Sequence, residues 1–243
     1  MKIMCCSLFV CLLLAHFMGD FLFQTDSLCR QKQERWLKSW FLYVHTVIIA
    51  LLSLLALGKL SYWPVAVAIG VSHLIIDAFK NCIKADNLLC FVIDQFLHIV
   101  VLVIASIVSV NTFGWTPHAW LTSLVVKAVA VGVAVIVCWK PANLFIKYTL
   151  QSCKLFVPGD DTNSFHAGKL IGTLERWLIL AFMLIGRYEA IGFLIAAKSI
   201  IRFGEKDKDQ TEYFLAGTLL SISVAVVCGL LLSKSLFVVP SIS

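Results

Sequence analysis

The chain has 243 residues, 60% of them hydrophobic and only 14% charged, with a formal net charge of +6. A mean hydropathy of +0.92 excludes a soluble globular domain and a disordered chain, and the modest positive charge indicates no nucleic-acid partner. The nine cysteines are scattered with no C-x-x-C pair, so neither a disulfide framework nor a zinc ribbon is indicated.

From the first residues onward the chain reads as membrane helices. Lys2 precedes an apolar run that continues to Gln24 with no small-x-small cleavage site, so it is read as an uncleaved first span. A bilayer core needs roughly 20 apolar residues per helix. By that rule spans are expected at 3–24, 38–58, 62–80, 89–111, 119–139, 170–186, 189–203 and 212–233. The sixth and seventh are short, and 189–203 carries Lys198 and Arg202, so it is expected to be tilted or re-entrant. Pro141 ends a helix, and "ANLFIKYTLQSCKLFV" suits an interfacial segment before the turn "PGDD". The expected fold is an all-α, polytopic transmembrane bundle of about eight spans. It forms one integral membrane domain over 1–243, with a His- and Asp-bearing four-helix part (1–111), a span plus cytoplasmic interfacial loop (112–169), and C-terminal helices with a basic cluster (170–243).

The basic residues set the orientation. The connections at 24–38, 78–88, 140–169 and 202–213 hold thirteen of the twenty Lys and Arg, whereas Lys2, Lys59, Arg187 and Lys234 are the four on the opposite side. The positive-inside rule then makes the richer loops cytoplasmic and puts both termini outside. Trp36, Trp40, Trp139 and Trp177 fall near the inner interface and Trp63, Trp115 and Trp120 near the outer one, as aromatic belts require.

Ionisable groups inside a bilayer cost several kcal/mol and mark function by default. "LLAHFMGDFLFQ" spaces His16, Asp20 and Gln24 four apart, "SHLIIDAFK" does the same for His73 and Asp77, and "DQFLH" for Asp94 and His98, while His45 stands alone on the second span. Four-residue spacing puts each group on one helix face, and the topology brings all of them to the cytoplasmic half. Imidazole and carboxylate are ligand types of zinc and manganese, and this set suffices for one or two divalent ions with an open position for water. The expected ligands are His16, Asp20, His45, His73, Asp77, Asp94 and His98, with Asp77 or Asp94 as the catalytic proton acceptor. Gln24, Gln95 and Lys80 are expected to support them by hydrogen bonds. A single such pair would more often be a self-satisfied polar contact between packed helices; four sets at one depth favour a site. His118 and His166 are read as solvated loop histidines. A second set, in "GTLERW", "GFLIAAKSIIRF" and "EYFLAGTLLS", offers Arg176, Lys198 and Arg202 as anion-binding groups. Arg176 is free to pair with Glu175 or Glu212, and the alternative is that the cations simply snorkel to headgroups.

Taken together, "LLAHFMGDFLFQ", "YVHT", "SHLIIDAFK", "DQFLH" and the three later motifs resemble a bacterial membrane family of unknown function, DUF3307. The first-half motifs, which span roughly the first hundred residues, are more loosely similar to YdjM-type membrane proteins described as metal-dependent hydrolases. The resemblance points to the same His and Asp residues and implies hydrolysis by analogy only. The expectation is a multi-pass protein of the bacterial inner membrane that hydrolyses a lipid or another anionic phosphate or acyl substrate. Two other classes stay open: a proton- or metal-coupled transporter, and a non-catalytic scaffold or sensor.

Overall fold

A computed structural model describes the backbone of residues 2–25, 28–29, 31–32, 38–83, 87–118, 121–154, 162–202 and 208–238, and their side chains except at 162–167, 201–202, 208–211 and 235–238. Among the described residues every regular element is helical. In order these are α1 (Lys2–Phe17), a π-turn (Met18–Leu22), α2 (Trp40–Leu57), a 3-10 turn (Leu60–Tyr62), α3 (Trp63–Ile83), α4 (Leu88–Asn111), α5 (Ser123–Val137), α6 (Lys140–Ser152), α7 (Thr162–Leu184), α8 (Tyr188–Arg202) and α9 (Lys208–Val238). They fall into two compact units, one within Met1–Val133 and the other within Ala134–Val238.

Among the described residues six helical stretches are long and apolar enough to cross a membrane: Lys2–Leu22, Trp40–Leu57, Leu60–Ile83, Leu88–Asn111, Ser123–Ser152 and Glu212–Lys234. The two remaining expected spans lie in α7, which carries Lys169, Glu175 and Arg176, and in α8, which has only 15 residues. At about 1.5 Å per residue, α8 falls short of a bilayer core of about 30 Å.

In the first unit α1, α2, α3 and α4 form a ring in which α1 and α3 each pack against both α2 and α4. Local sequence sets the helix ends. Gly58 takes a left-handed φ of 83° and returns its N–H to Leu54 O at 2.9 Å, a conformation that favours glycine. Asn87 caps α4 by accepting from the Cys90 N–H at 2.8 Å.

Each helix turns one stripe inward at four-residue steps: His45, Ile49, Ser53 and Leu57 on α2; Ile69, His73, Asp77 and Asn81 on α3; Asp94, His98 and Leu102 on α4. Every stripe is polar towards one end of the bundle and mostly apolar towards the other. The apolar half is a core that includes Leu8, Leu12, Ile49, Leu57, Ile69, Leu102 and Trp115. The outward faces carry exposed Val47, Leu51, Val71, Ile75, Val103 and Ile104, as lipid contact requires.

Two loop residues differ from expectation. Trp115 stands near the end of α2, but it is 1% exposed and donates its indole N–H to Leu57 O at 3.0 Å. It therefore closes the apolar end of the bundle and does not lie in an aromatic belt. His118 is half-buried and covers Gly58, where an added Cβ would come within 2.2 Å of its Nε2, so it is a packed residue and not a solvated one. Trp36, Trp120, the turn "PGDD" and the side chain of His166 lie outside the described residues.

In the second unit α9 packs on α6 and α7, and α7 on α8, around Ile179, Met183, Ile191 and Ala225.

Candidate metal centre

The polar ends of four stripes meet inside the first unit. His16 arrives on the last turn of α1 and Asp20 on the π-turn that follows, where the Phe23 N–H reaches Met18 O at 3.1 Å, five residues back. Such single-turn widenings of a helix recur at functional sites. His45 comes from the second turn of α2, His73 from the middle of α3 and Asp77 from its second half, and Asp94 and His98 from the first half of α4. The four histidines are 1–3% exposed, Asp77 and Asp94 4% each, and the Asp20 side chain 11%.

At the centre three atoms form a small triangle. His45 Nε2 and His73 Nε2 are 3.0 Å apart, and they lie 3.1 and 3.4 Å from Asp20 Oδ1. Metal–nitrogen bonds of about 2.0–2.1 Å give a tetrahedral edge of about 3.3 Å, so the triangle has the size of one face of a coordination tetrahedron. Two imidazole nitrogens at hydrogen-bond distance cannot both carry a proton, whereas a cation serves all three lone pairs at once. The other Asp20 oxygen, Oδ2, lies 3.6 Å from His16 Nε2. Asp77 Oδ2 borders the triangle at 3.6 Å from His73 and 4.0 Å from His45.

The rings of His16 and His98 stack at 4.8 Å, and His98 lies 4.3 Å from His73 between centroids. The Nδ1 of His98 donates to the Asp94 carbonyl at 2.8 Å. That bond fixes the tautomer and leaves Nε2 with its lone pair. His16 Nε2, His98 Nε2 and Asp94 Oδ1 are buried without a hydrogen-bond partner, which is costly for polar atoms unless something binds them. Among the described residues three sets bring their ligand atoms within 4.8 Å of one another, close enough to share an ion: His16, Asp20 and His73; His45, His73 and Asp77; and Asp77, Asp94 and His98.

Two lysines complete the cluster. Lys32 Nζ lies 2.6 Å from Asp77 Oδ2, and Lys80 Nζ lies 2.7 Å from Asp94 Oδ2, which also accepts from Gln95 Nε2 at 3.1 Å. Gln24 is buried at 7% exposure. Sequence reasoning missed Lys32, which counts there only as a loop charge, and Asn81, buried one turn beyond Asp77. The four-residue ladder of α3 could have found Asn81; nothing local marks Lys32.

The second unit treats its expected anion-binding residues differently. Arg176 is 1% exposed, and its partners are neutral oxygens, not Glu175 or Glu212. Nε donates to Cys138 O at 2.7 Å, Nη1 to Ser221 Oγ at 2.8 Å, and Nη2 to Asn143 Oδ1 at 2.6 Å and Thr173 Oγ1 at 3.1 Å. Lys198 forms an ion pair with Glu175. The side chain of Arg202 lies outside the described residues.

No curated protein and no solved structure matches the chain significantly. A family model does match, over residues 8–140, which takes in the whole His and Asp cluster. More than half of the chain falls within that match, and the chain belongs to the family described as protein of unknown function, DUF3307.

Proposed function

We propose that the chain is a membrane-embedded, metal-dependent hydrolase whose centre opens to the cytoplasm of a bacterial inner membrane. The observation that carries this reading is the triangle of Asp20 Oδ1, His45 Nε2 and His73 Nε2, with edges of 3.0–3.4 Å. Two histidines and one carboxylate form a donor set of catalytic zinc sites that keep a position open, and zinc or manganese suits it best. A divalent ion held there supplies a Lewis acid and a water acidified to a pKa of about 7. The chain's own groups do the rest. Asp94 Oδ1 is a buried acceptor without a partner and takes the proton of the attacking water. The bond from Lys80 holds the Asp94 carboxylate in place, and the lysine itself, with a side chain 34% exposed, stands at the mouth.

The apolar half of the bundle argues against the transporter. Beyond the histidines the helices close on Leu12, Ile49, Leu57, Ile69, Leu102 and Trp115, and the described residues there form no chain of ionisable groups to carry a proton onward. Ser106 and Ser109 in that half bond to carbonyls of their own helix. A scaffold with a structural ion would use a closed four-ligand shell, and the unpartnered Nε2 atoms of His16 and His98 speak against that.

The orientation proposed from the basic loops puts both termini outside. It does not depend on whether α7 and α8 cross as the two short members of eight spans or re-enter as a hairpin, because both routes return to the same side. Cysteine labelling at residues 160 and 241 in a cysteine-free background tests it: external label at 241 only is expected, and the reverse pattern refutes the orientation.

Elemental analysis after detergent purification without a histidine tag tests the centre. Zinc or manganese in the wild type, absent in His73→Ala, is expected. A metal-free wild type that leaks protons in liposomes would establish the transporter. Metal without hydrolysis of any phospholipid, lipid-linked phosphate or nucleotide would leave the scaffold.

A further inference from the structure

We propose that Lys32 and Lys80 take the place of a second metal ion, so that the centre holds one divalent cation and grips the phosphoryl group of its substrate with two ammonium groups. The inference rests on the metal-centre reading above and names its substrate class. Asp77, Asp94 and His98 bring ligand atoms within 4.8 Å of one another, close enough for a second ion. Both carboxylates already carry an ammonium group, Lys32 at 2.6 Å and Lys80 at 2.7 Å. Among the described residues the ion-pair partners of Asp20, by contrast, are all imidazoles.

Charge decides the number of ions. The three carboxylates and two ammonium groups leave one negative charge when the imidazoles are counted in the neutral form that binds a metal. A single divalent ion turns that into one positive charge; a second would leave three positive charges among carboxylates whose side chains are only 3–11% exposed. Uncompensated buried charge costs several kcal/mol per ion, so one ion is favoured. The remaining positive charge then selects the substrate. An anionic phosphoryl group offsets that positive charge, whereas an uncharged acyl group leaves it in place.

The lysines are built for this role. An ammonium group has three donors, and the carboxylate contact uses one, leaving others for phosphoryl oxygens. Their placement differs usefully: the Lys32 side chain is 9% exposed, the Lys80 side chain 34%. Lys80 meets the incoming group first, and Lys32 meets it at depth.

Full-length protein in detergent, loaded with zinc and desalted, tests the proposal. One equivalent is expected in the wild type and in Lys80→Arg, and two in the Lys32→Met/Lys80→Met double variant, where the freed carboxylates accept another ion. Titration with inorganic phosphate and with a short-chain phosphatidic acid should show the affinity reduced at least about tenfold in Lys80→Met and retained in Lys80→Arg. Loss confined to the phosphatidic acid identifies a lipid phosphate, and loss for both identifies phosphate itself. The single variant carries this arm even if the double variant does not fold, because Lys80 is partly exposed. Two equivalents in the wild type, one in a folded double variant, or unchanged affinities in Lys80→Met would overturn the proposal. A wild type without metal would instead remove the reading beneath it.

Discussion

His98 donates Nδ1–H to the carbonyl of Asp94, 2.8 Å away and one turn back on its own helix, which selects the tautomer with its lone pair on Nε2, and that buried Nε2 has no hydrogen-bond partner among the described residues. Helix α4 thereby presents a basic nitrogen beside His16 and His73 without drawing on another element. A group of this kind can receive a proton, and it need not hold the ion, which has three donors at the triangle. His98→Ala is accordingly expected to retain its metal while turnover of any substrate found for the wild type falls about 10²- to 10⁴-fold, the range of general acid–base catalysis. His73→Ala, which removes a corner of the triangle, should lose the metal. Elemental analysis and turnover on the same preparations separate the two; metal loss from His98→Ala would make it a ligand.

Close packing of α2 on α3 is what holds His45 against His73. At Gly70 an added Cβ would lie 3.1 Å from the Ala50 Cβ and 3.4 Å from Thr46 O, so the helices approach there because the side chain is missing, as small residues allow in membrane bundles. Gly70→Val is expected to destabilise the protein by about 1–3 kcal/mol through overpacking and to lower metal affinity by spreading the triangle. Val71→Ala, at a position 48% exposed, should change neither. Thermal unfolding in detergent with and without zinc measures both effects.

The site was largely legible in the sequence because helix periodicity is strict: residues four apart share a face, and His73 with Asp77 or Asp94 with His98 had to project together. That four such faces meet follows from the ring of α1 to α4, in which each inward stripe ends in its polar pair. Lys32 was not legible. Its contact with Asp77 spans 45 residues and obeys no local period. The partners of Arg176 were not legible for the same reason: they come from Cys138, Asn143 and Ser221, which only tertiary structure assembles. The span count failed to resolve at α7 and α8 because hydropathy registers Glu175 and Lys198 as isolated charges, whereas the two form a partly buried ion pair.

Arg176 gives the clearest test of a purely structural role. Four hydrogen bonds to neutral oxygens occupy a guanidinium that is 1% exposed, and lysine cannot reproduce the planar fork. Hydrogen bonds to charged groups contribute about 1.5–3 kcal/mol each. Arg176→Lys should therefore lower stability by at least about 2 kcal/mol while leaving the affinity for inorganic phosphate at the wild-type value. A variant of normal stability with weakened phosphate binding would return Arg176 to the substrate site.

Metal removal should be visible in stability before any substrate is known. A ligand that binds only the folded state stabilises it by about 2.7 kcal/mol at a hundredfold excess over its dissociation constant, and here the ion would also offset the negative charge that Lys32 and Lys80 leave uncompensated on the three carboxylates. Dialysis against a chelator is expected to lower the unfolding temperature of the wild type, and zinc to restore it. Asp20→Asn keeps the shape of the side chain but removes the carboxylate whose ion-pair partners, among the described residues, are imidazoles. It should therefore unfold at the same temperature with chelator or with zinc, near the chelated wild type. Lys80 already neutralises Asp94 from the mouth at 2.7 Å, so Asp94→Asn should keep most of the zinc-dependent shift. A shift lost in Asp94→Asn and kept in Asp20→Asn would move the ion to the opposite end of the cluster, among Asp77, Asp94 and His98.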